Sequence, residues 1–438
     1  MTRRIAVISL GCPKNLVDSE GMVSDFLSRD LELVVDPADA DVVLVNTCGF
    51  LAAARDESVG ALKEVAKLKH EGLKALFVTG CMVGHYGDRI RSEVPEVDRL
   101  VDFGDYARLG EMVEEILPRT AGASFTVPGR YVQARLTPAH FAYLKISEGC
   151  NHTCSFCVIP KIRGRMRSFG LEDLVGRARR LVGIGAREIN VVAQDSTMYG
   201  VDLYGEMRIV ELLRRLADVE GLSWLRLLYA YPTEVDEALI ELLAEAPGAL
   251  LPYLDVPLQH SSGRMLELMN RKSSESRVEE MMTALRGAHR PITIRTTMIV
   301  GFPGETDEDF EHLLDFVGRH RIDRLGAFIW SPEEGSGAMS LPDHVDPDVK
   351  QDRHDRLMRL QATIAAEVSA ERLGETLEVL VESPATVDQP ARGRSVHDAP
   401  EIDGTVHLSG PEVAPGELVQ ARVTAARGYD LDAVVLVH

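Results

Sequence analysis

Short runs of apolar, β-branched residues separated by stretches of helical periodicity organise this chain of 438 residues. Three such runs lie in the first 118 residues, Ile5 to Leu10, Val42 to Asn46 and Ala75 to Thr79. They lack polar alternation, which marks strands buried on both faces of a parallel sheet. Stretches such as Asp18 to Ser28 and Ala52 to His70 are suited to crossover helices, so a doubly wound parallel α/β domain is expected over residues 1–118. Strand-like runs then alternate with helices at Phe141 to Ile146, Glu188 to Ala193, Trp224 to Leu228, Tyr253 to Val256, Thr293 to Val300 and Arg324 to Ile329. They predict a partial (β/α)6 barrel over 136–368. From Asp348 to Glu371, Leu357, Leu360, Ile364 and Val368 share one helical stripe and form a bridge. Beyond it, short strands at Leu377 to Val381, Gly404 to Leu408, Leu418 to Val423 and Ala433 to Val437, punctuated by Gly and Pro, predict a small antiparallel β-barrel over 370–438.

No window approaches the roughly 18 uncharged apolar residues that span a bilayer, so no membrane partner is expected. The start, Met1-Thr2-Arg3-Arg4, has the charge of a signal peptide, but its apolar run is short and carries no cleavage signal. It reads as a first strand, and a cytoplasmic protein is expected. With 48 basic against 68 acidic residues the net charge is −20, which favours basic partners over phosphate backbones. From Thr376 onward there are 10 acidic and 4 basic residues, which argues against direct tRNA binding and for a basic protein.

Six cysteines are too few for a disulfide scaffold and read as metal ligands or reactive thiols. Cys12, Cys48 and Cys81 each follow a predicted strand. In a parallel sheet all strand C-termini share one edge, so the three should converge there. Three thiolates at one point suit a metal or iron–sulfur site with an open position. Buried strand-end cysteines, or zinc with His85 as fourth ligand, are the alternatives. Cys150-Asn-His-Thr-Cys154-Ser-Phe-Cys157 supplies three thiolates within eight residues. They can bind three irons of a cubane and leave the fourth open to the amino and carboxylate groups of S-adenosylmethionine, whose one-electron cleavage yields a 5′-deoxyadenosyl radical. His152 inside this loop is not read as a ligand. Gln194 and Asp195, Gln259 and His260, and the turn from Gly301 to Gly304 fall at predicted strand ends, where such barrels place their chemistry. The basic run Lys161, Arg163, Arg165 and Arg167 is suited to cradling a cofactor carboxylate or an anionic substrate.

The Cys150 triad, with the aromatic Phe156 before its last cysteine, resembles that of radical S-adenosylmethionine enzymes. That resemblance implies cofactor contacts by Phe156 and Gly301, and the strand-end positions of Gln194 and Asp195 make them candidate cofactor contacts as well. Together with Gly11-Cys-Pro-Lys-Asn-Leu-Val-Asp-Ser-Glu20, Asn46-Thr-Cys-Gly-Phe50 and Thr79-Gly-Cys81, it makes the whole chain resemble the methylthiotransferases. Their plan is a three-cysteine domain, a radical barrel and a TRAM barrel. The resemblance implies two 4Fe–4S clusters, ligated by Cys12, Cys48 and Cys81 and by Cys150, Cys154 and Cys157, and two S-adenosylmethionine molecules, the methyl and radical sources. An external electron donor and a sulfur source are implied as well. Pro13-Lys14 and the acidic last domain resemble the branch that methylthiolates an aspartate β-carbon of small-subunit ribosomal protein S twelve. Phe169 departs from the pattern, standing where relatives often have arginine. The tRNA-adenosine branch of the family and a non-catalytic iron–sulfur electron carrier are the alternative readings.

Overall fold

The computed structural model describes residues 3–119 and 134–437. Met1, Thr2 and His438, the outer ends of two expected divisions, lie outside the described residues. The N-terminal sheet has five parallel strands in the order β2-β1-β3-β4-β5. They are β1 (Arg4–Ser9), β2 (Glu32–Leu33), β3 (Val42–Thr47), β4 (Ala75–Gly80) and β5 (Arg99–Leu100). The three central strands are the apolar runs of the sequence; β2 and β5 are two-residue edges too short to leave a pattern. Every residue of β3 and β4 is buried, as strands covered on both faces must be. The helix α1 (Pro13–Ser28) begins directly after Cys12, five residues earlier than the apolar pattern suggests, because Pro13 fits its first turn. Its partner α2 spans Ala52–Lys67.

The central sheet is β6 (Phe141–Lys145), β9 (Glu188–Val192), β10 (Trp224–Leu227), β11 (Leu250–Asp255), β12 (Thr293–Val300) and β13 (Arg324–Ile329), all parallel and in chain order across the sheet. The first and last strands do not pair, so the barrel is open. A two-stranded antiparallel ribbon, β7 (Ser147–Glu148) with β8 (Arg167–Ser168), pins both ends of the Cys150 loop. Helices bury the outer face against residues such as Leu144, Ile189 and Leu254.

The inner face is covered by the C-terminal domain. Phe141, Tyr143, Trp224 and Tyr253 pack with Leu380, Ala399 and Leu418. That domain is a closed barrel of β14 (Thr376–Ser383), β15 (Ala391–Ser395), β16 (Val406–Ser409), β17 (Leu418–Arg427) and β18 (Asp430–Val435). It has one strand more than the sequence pattern shows, and its β16–β18 pair is parallel, so it is not wholly antiparallel. The helix Pro347–Ala370 bridges the two bodies by lying against β13 and β17.

Half of the acidic residues of the last domain are engaged at its seam with the central sheet. Asp398 pairs with Arg324 at 2.6 Å, and Asp403 with Arg295 at 3.3 Å, both inside the seam. Trp224 Nε1 donates to Glu378 and the Tyr143 hydroxyl to Glu401, while Glu382 faces His140 at 3.7 Å. Five of the ten acidic residues therefore serve docking.

Candidate active site

The C-terminal edge of the first sheet carries Cys48 and Cys81 immediately after β3 and β4, and Cys12 three residues after β1. Two asparagines lock this edge. Asn15 Nδ2 donates to the carbonyls of Leu10 and Thr47 at 2.9 Å, and Asn46 Nδ2 donates to the carbonyl of Asn15 and to Ser19 Oγ. Burial works to raise the Cys12 thiol, but Lys14, the Asn15 and Lys14 backbone N–H groups and Arg163 bring it below its ordinary value. Burial pushes Cys48 up and Cys81 up to about 11.

Cys150, Cys154 and Cys157 sit on the loop between β7 and the short helix Ile159–Arg163. The His152 N–H points to Cys150 Sγ at 3.5 Å and the Ile159 N–H to Cys157 Sγ at 3.4 Å. Burial raises Cys150 to about 11 and Cys157 to about 12.

Both triads line one cavity of about 470 Å³ between the sheet edge and the C-terminal ends of the barrel strands. Phe156 and Gln194 line it too. Asp195 and Gly301 do not. Asp195 caps its own turn, accepting from the Thr197 N–H and hydroxyl, and its other oxygen holds His152 Nε2 at 2.6 Å. His152, which does reach the cavity, lies flat on the Tyr231 ring with centroids 3.7 Å apart. Gly301 (φ +70°) turns the chain, its N–H donates to Glu305, and the Lys350 side chain fills the space where a Cβ would sit. Thr297 and Ile299 are the β12 residues that face the cavity. Gln259 lines it, whereas His260 is buried elsewhere against Glu305 at 3.3 Å.

The basic run splits. Arg163 is buried on the cavity wall, Lys161 reaches the Gly335 carbonyl at 2.6 Å, and Arg165 and Arg167 are exposed. Arg163 Nε lies 3.3 Å from Cys81 Sγ, and Arg271 Nη1 lies 4.0 Å from Cys154 Sγ. Sequence reasoning missed Arg271, Asn15, Asn46 and Tyr231. Asn15 and Asn46 had a signal, each lying inside a motif around one of the first two cysteines.

The residues fit the groups expected of them. All six cysteines are free, and each triad of soft donors has one buried guanidinium beside it to balance an anionic cluster. Gln194 Oε1 and Arg271 Nε, both buried on lining residues, have no partner and are available to a polar ligand. Among the described residues no His, Cys, Asp or Glu group is arranged to hold one metal ion. A cubane differs from zinc in this respect, since its three thiolates bind three separate irons. His85, the ligand of the zinc alternative, is not on the cavity wall.

Residues 4–102 match the Uncharacterized protein family UPF0004, 144–317 the Radical SAM superfamily and 373–436 the TRAM domain. The solved structure of the radical S-adenosylmethionine methyltransferase TsrM from Kitasatospora setae superposes with a TM-score of 0.59 at 16% identity, over 77% of this chain and 74% of that one. The cobalamin-dependent S-adenosylmethionine radical enzyme OxsB gives 0.52 at 9% identity, over 83% and 56%. At these identities the likeness is of fold. Fold and site together define a radical S-adenosylmethionine enzyme, a class that uses a 4Fe–4S cluster and S-adenosylmethionine. Curated relatives named "Ribosomal protein uS12 methylthiotransferase RimO" are 44% identical in an Anaeromyxobacter species, over 98% of this chain and 92% of the relative. Those of Geobacter sulfurreducens and Clostridioides difficile are 41% and 40% identical, over 98% and 99% of this chain and 97% and 99% of the relatives. The chain belongs to this RimO family of methylthiotransferases.

Proposed function

We propose that this chain replaces a hydrogen on the β-carbon of an aspartate in small-subunit ribosomal protein S twelve by a methylthio group, in the cytoplasm, with two S-adenosylmethionine molecules. The observation that carries the reading is that six free thiols, in two triads from two domains, line one cavity. In this reading residues 1–118, 136–368 and 370–438 are the sulfur-handling, radical and docking units. Cys12, Cys48 and Cys81 hold one 4Fe–4S cluster, and Cys150, Cys154 and Cys157 hold the other. When bound, the clusters and S-adenosylmethionine supply the electron, the radical that removes an unactivated hydrogen, the methyl group and the sulfur.

The chain's own residues bind, orient and shield. Phe156 and Gln194 contribute wall to the S-adenosylmethionine site. Asp195 acts through His152, which it holds against Tyr231, and Gly301 acts through the turn it makes at the end of β12. Arg163 and Arg271 place positive charge beside the two triads. Phe50, Ile159 and Trp330 give the cavity an apolar lining that excludes water from a reactive radical. An aspartate β-hydrogen is not acidic enough for a side-chain base, so no acid–base residue is assigned. The electron donor and the sulfur source are external. Among the described residues no helix is long and apolar enough to cross a membrane.

The test is reconstituted protein incubated with the isolated ribosomal protein and, separately, with bulk tRNA, followed by mass spectrometry of both. A methylthio group on the protein alone is expected; one on tRNA alone overturns the reading, and absence of any S-adenosylmethionine cleavage favours an electron carrier. Cys154→Ala should abolish 5′-deoxyadenosine formation. Cys12→Ala should remove roughly half of the iron and leave cleavage partly intact.

A further inference from the structure

Lys14 enters the cavity from the first turn of α1, two residues after Cys12. Its ammonium stands 3.2 Å from the centroid of the Tyr229 ring. It has no carboxylate, carbonyl or hydroxyl partner among the described residues, although a lysine on an apolar wall gains most from an anion. The other cations on the wall are committed. Arg163 holds Asp18 at 3.1 Å and Glu148 at 2.8 Å, and Arg271 rests on Tyr231, donates to the Pro257 carbonyl at 2.6 Å and faces Cys154. Glu333, the one carboxylate among the described lining residues, is taken by Arg55 at 2.7 Å. Among the described lining side chains, an incoming anion would therefore meet one cation without a carboxylate or carbonyl partner, and no unpaired carboxylate.

The platform under Lys14 is built with strain. Tyr229 has φ +63°, in the left-handed region a bulky residue rarely adopts, and its N–H donates to Asp255 Oδ2 at 3.0 Å. Asp255 is fixed in turn by Arg295 at 3.1 Å. Backbone strain held in place by a buried ion pair aims the Tyr229 ring into the cavity, and the ring holds the ammonium beside the Cys12 triad.

We infer that Lys14 receives the carboxylate of the target aspartate and thereby selects an acidic side chain for this cavity; the inference rests on the function proposed above. The β-carbon is bonded directly to the carboxylate carbon, so an anchored carboxylate leaves the reacting C–H almost no freedom. A neutral nucleobase would gain nothing from the same ammonium, which makes Lys14 a specificity residue as well as a binding one.

The test uses the full chain with its clusters and two peptides spanning the target of the ribosomal protein, one with the aspartate and one with asparagine in its place. Peptide Kd, by fluorescence anisotropy, and KM and kcat are measured for wild type, Lys14→Met and Lys14→Arg. Wild type should prefer the aspartate peptide by on the order of 10²-fold, the scale of one charge-assisted hydrogen bond. Lys14→Met should cut that preference to about threefold or less, through Kd and KM more than kcat, and Lys14→Arg should restore most of it. A preference unchanged in Lys14→Met, or affinity lost equally for both peptides, overturns the inference. If wild type binds the aspartate peptide selectively yet modifies nothing, the proposed reaction fails while Lys14 keeps its role.

Discussion

Arg163 joins both halves of the active site through one side chain. Its guanidinium meets Asp18 and Asn15 from α1, Glu148 from β7 and the sulfur of Cys81 after β4. Lys145 completes the cluster by bridging Asp18 and Glu148. Burial opposes the Glu148 charge, but Lys145 and Arg163 overcome it and hold the carboxyl down at about 2. Two carboxylates against two cations is a balanced buried set, and taking out one cation leaves a charge without a partner. Arg163→Met should therefore lower stability by about 3–5 kcal/mol in urea denaturation. A loss under about 1 kcal/mol would mean the cluster is hydrated and weakly coupled. The sequence offered the six cysteines plainly, because thiolates are the usual ligands of an iron–sulfur cluster and their spacing is constrained. It offered Arg163 only as one of four cations in a run, since an exposed arginine and a buried one are spelled alike. What sets Arg163 apart is Asp18, 145 residues earlier.

At the scale of elements, the convergence of Cys12, Cys48 and Cys81 depends on how closely three strand ends approach. Gly80 (φ +94°) closes β4, and a Cβ there would lie 2.3 Å from Asn46 Oδ1 and 2.4 Å from the Thr47 carbonyl. Gly11 has the same role before Cys12, where a Cβ would stand 2.7 Å from Cys48 Cβ. Glycine at these ends relieves both the positive φ and the collision. Gly80→Ala should cost about 2–4 kcal/mol, combining backbone strain with overpacking. It should also lower iron retained per chain after gel filtration, because the displaced neighbour is the strand end that carries Cys48. Full iron loading at wild-type stability would show that the strand ends have slack. β-Branched runs made these strands legible in the sequence. The two-residue edges β2 and β5 were not, because register with a neighbour alone defines them. β15 escaped for a related reason: Ala391-Arg-Gly-Arg-Ser395 has no apolar alternation, and Arg394 is drawn inward by Glu188 and Glu382 while Arg392 stays exposed.

On the scale of the whole molecule, the C-terminal barrel closes the inner face of the central sheet through complementary charge. Glu188, wholly buried, lies between Arg226 at 3.0 Å and Arg394 at 2.6 Å, the latter 206 residues away in sequence. No local pattern can show such a pairing, which is why the count of acidic residues in the last domain does not separate its seam from its surface. Buried ion pairs of this kind set which surfaces meet more than how tightly they hold. His397 adds a pH dependence to the seam. Its Nε2 accepts from Arg372 at 2.8 Å, so Nδ1–H donates to Thr293 Oγ1 at 2.6 Å and the ring is neutral. Burial, then the nearby Arg372 charge, push it down to about 3, with Asp398 opposing and Arg324 and Arg226 adding to the shift. The unfolded chain takes up this proton near pH 6.5, whereas the folded chain resists it until about pH 3. Stability from this group is therefore complete above pH 6.5 and falls as pH drops toward 3, by about 1.4 kcal/mol per pH unit within that window. His397→Gln keeps a neutral polar side chain and removes the titration. Urea denaturation between pH 7.5 and 5 should show wild type losing stability faster than His397→Gln by that slope. Parallel curves for the two proteins would mean that His397 is protonated in the folded state and that the seam is open to water.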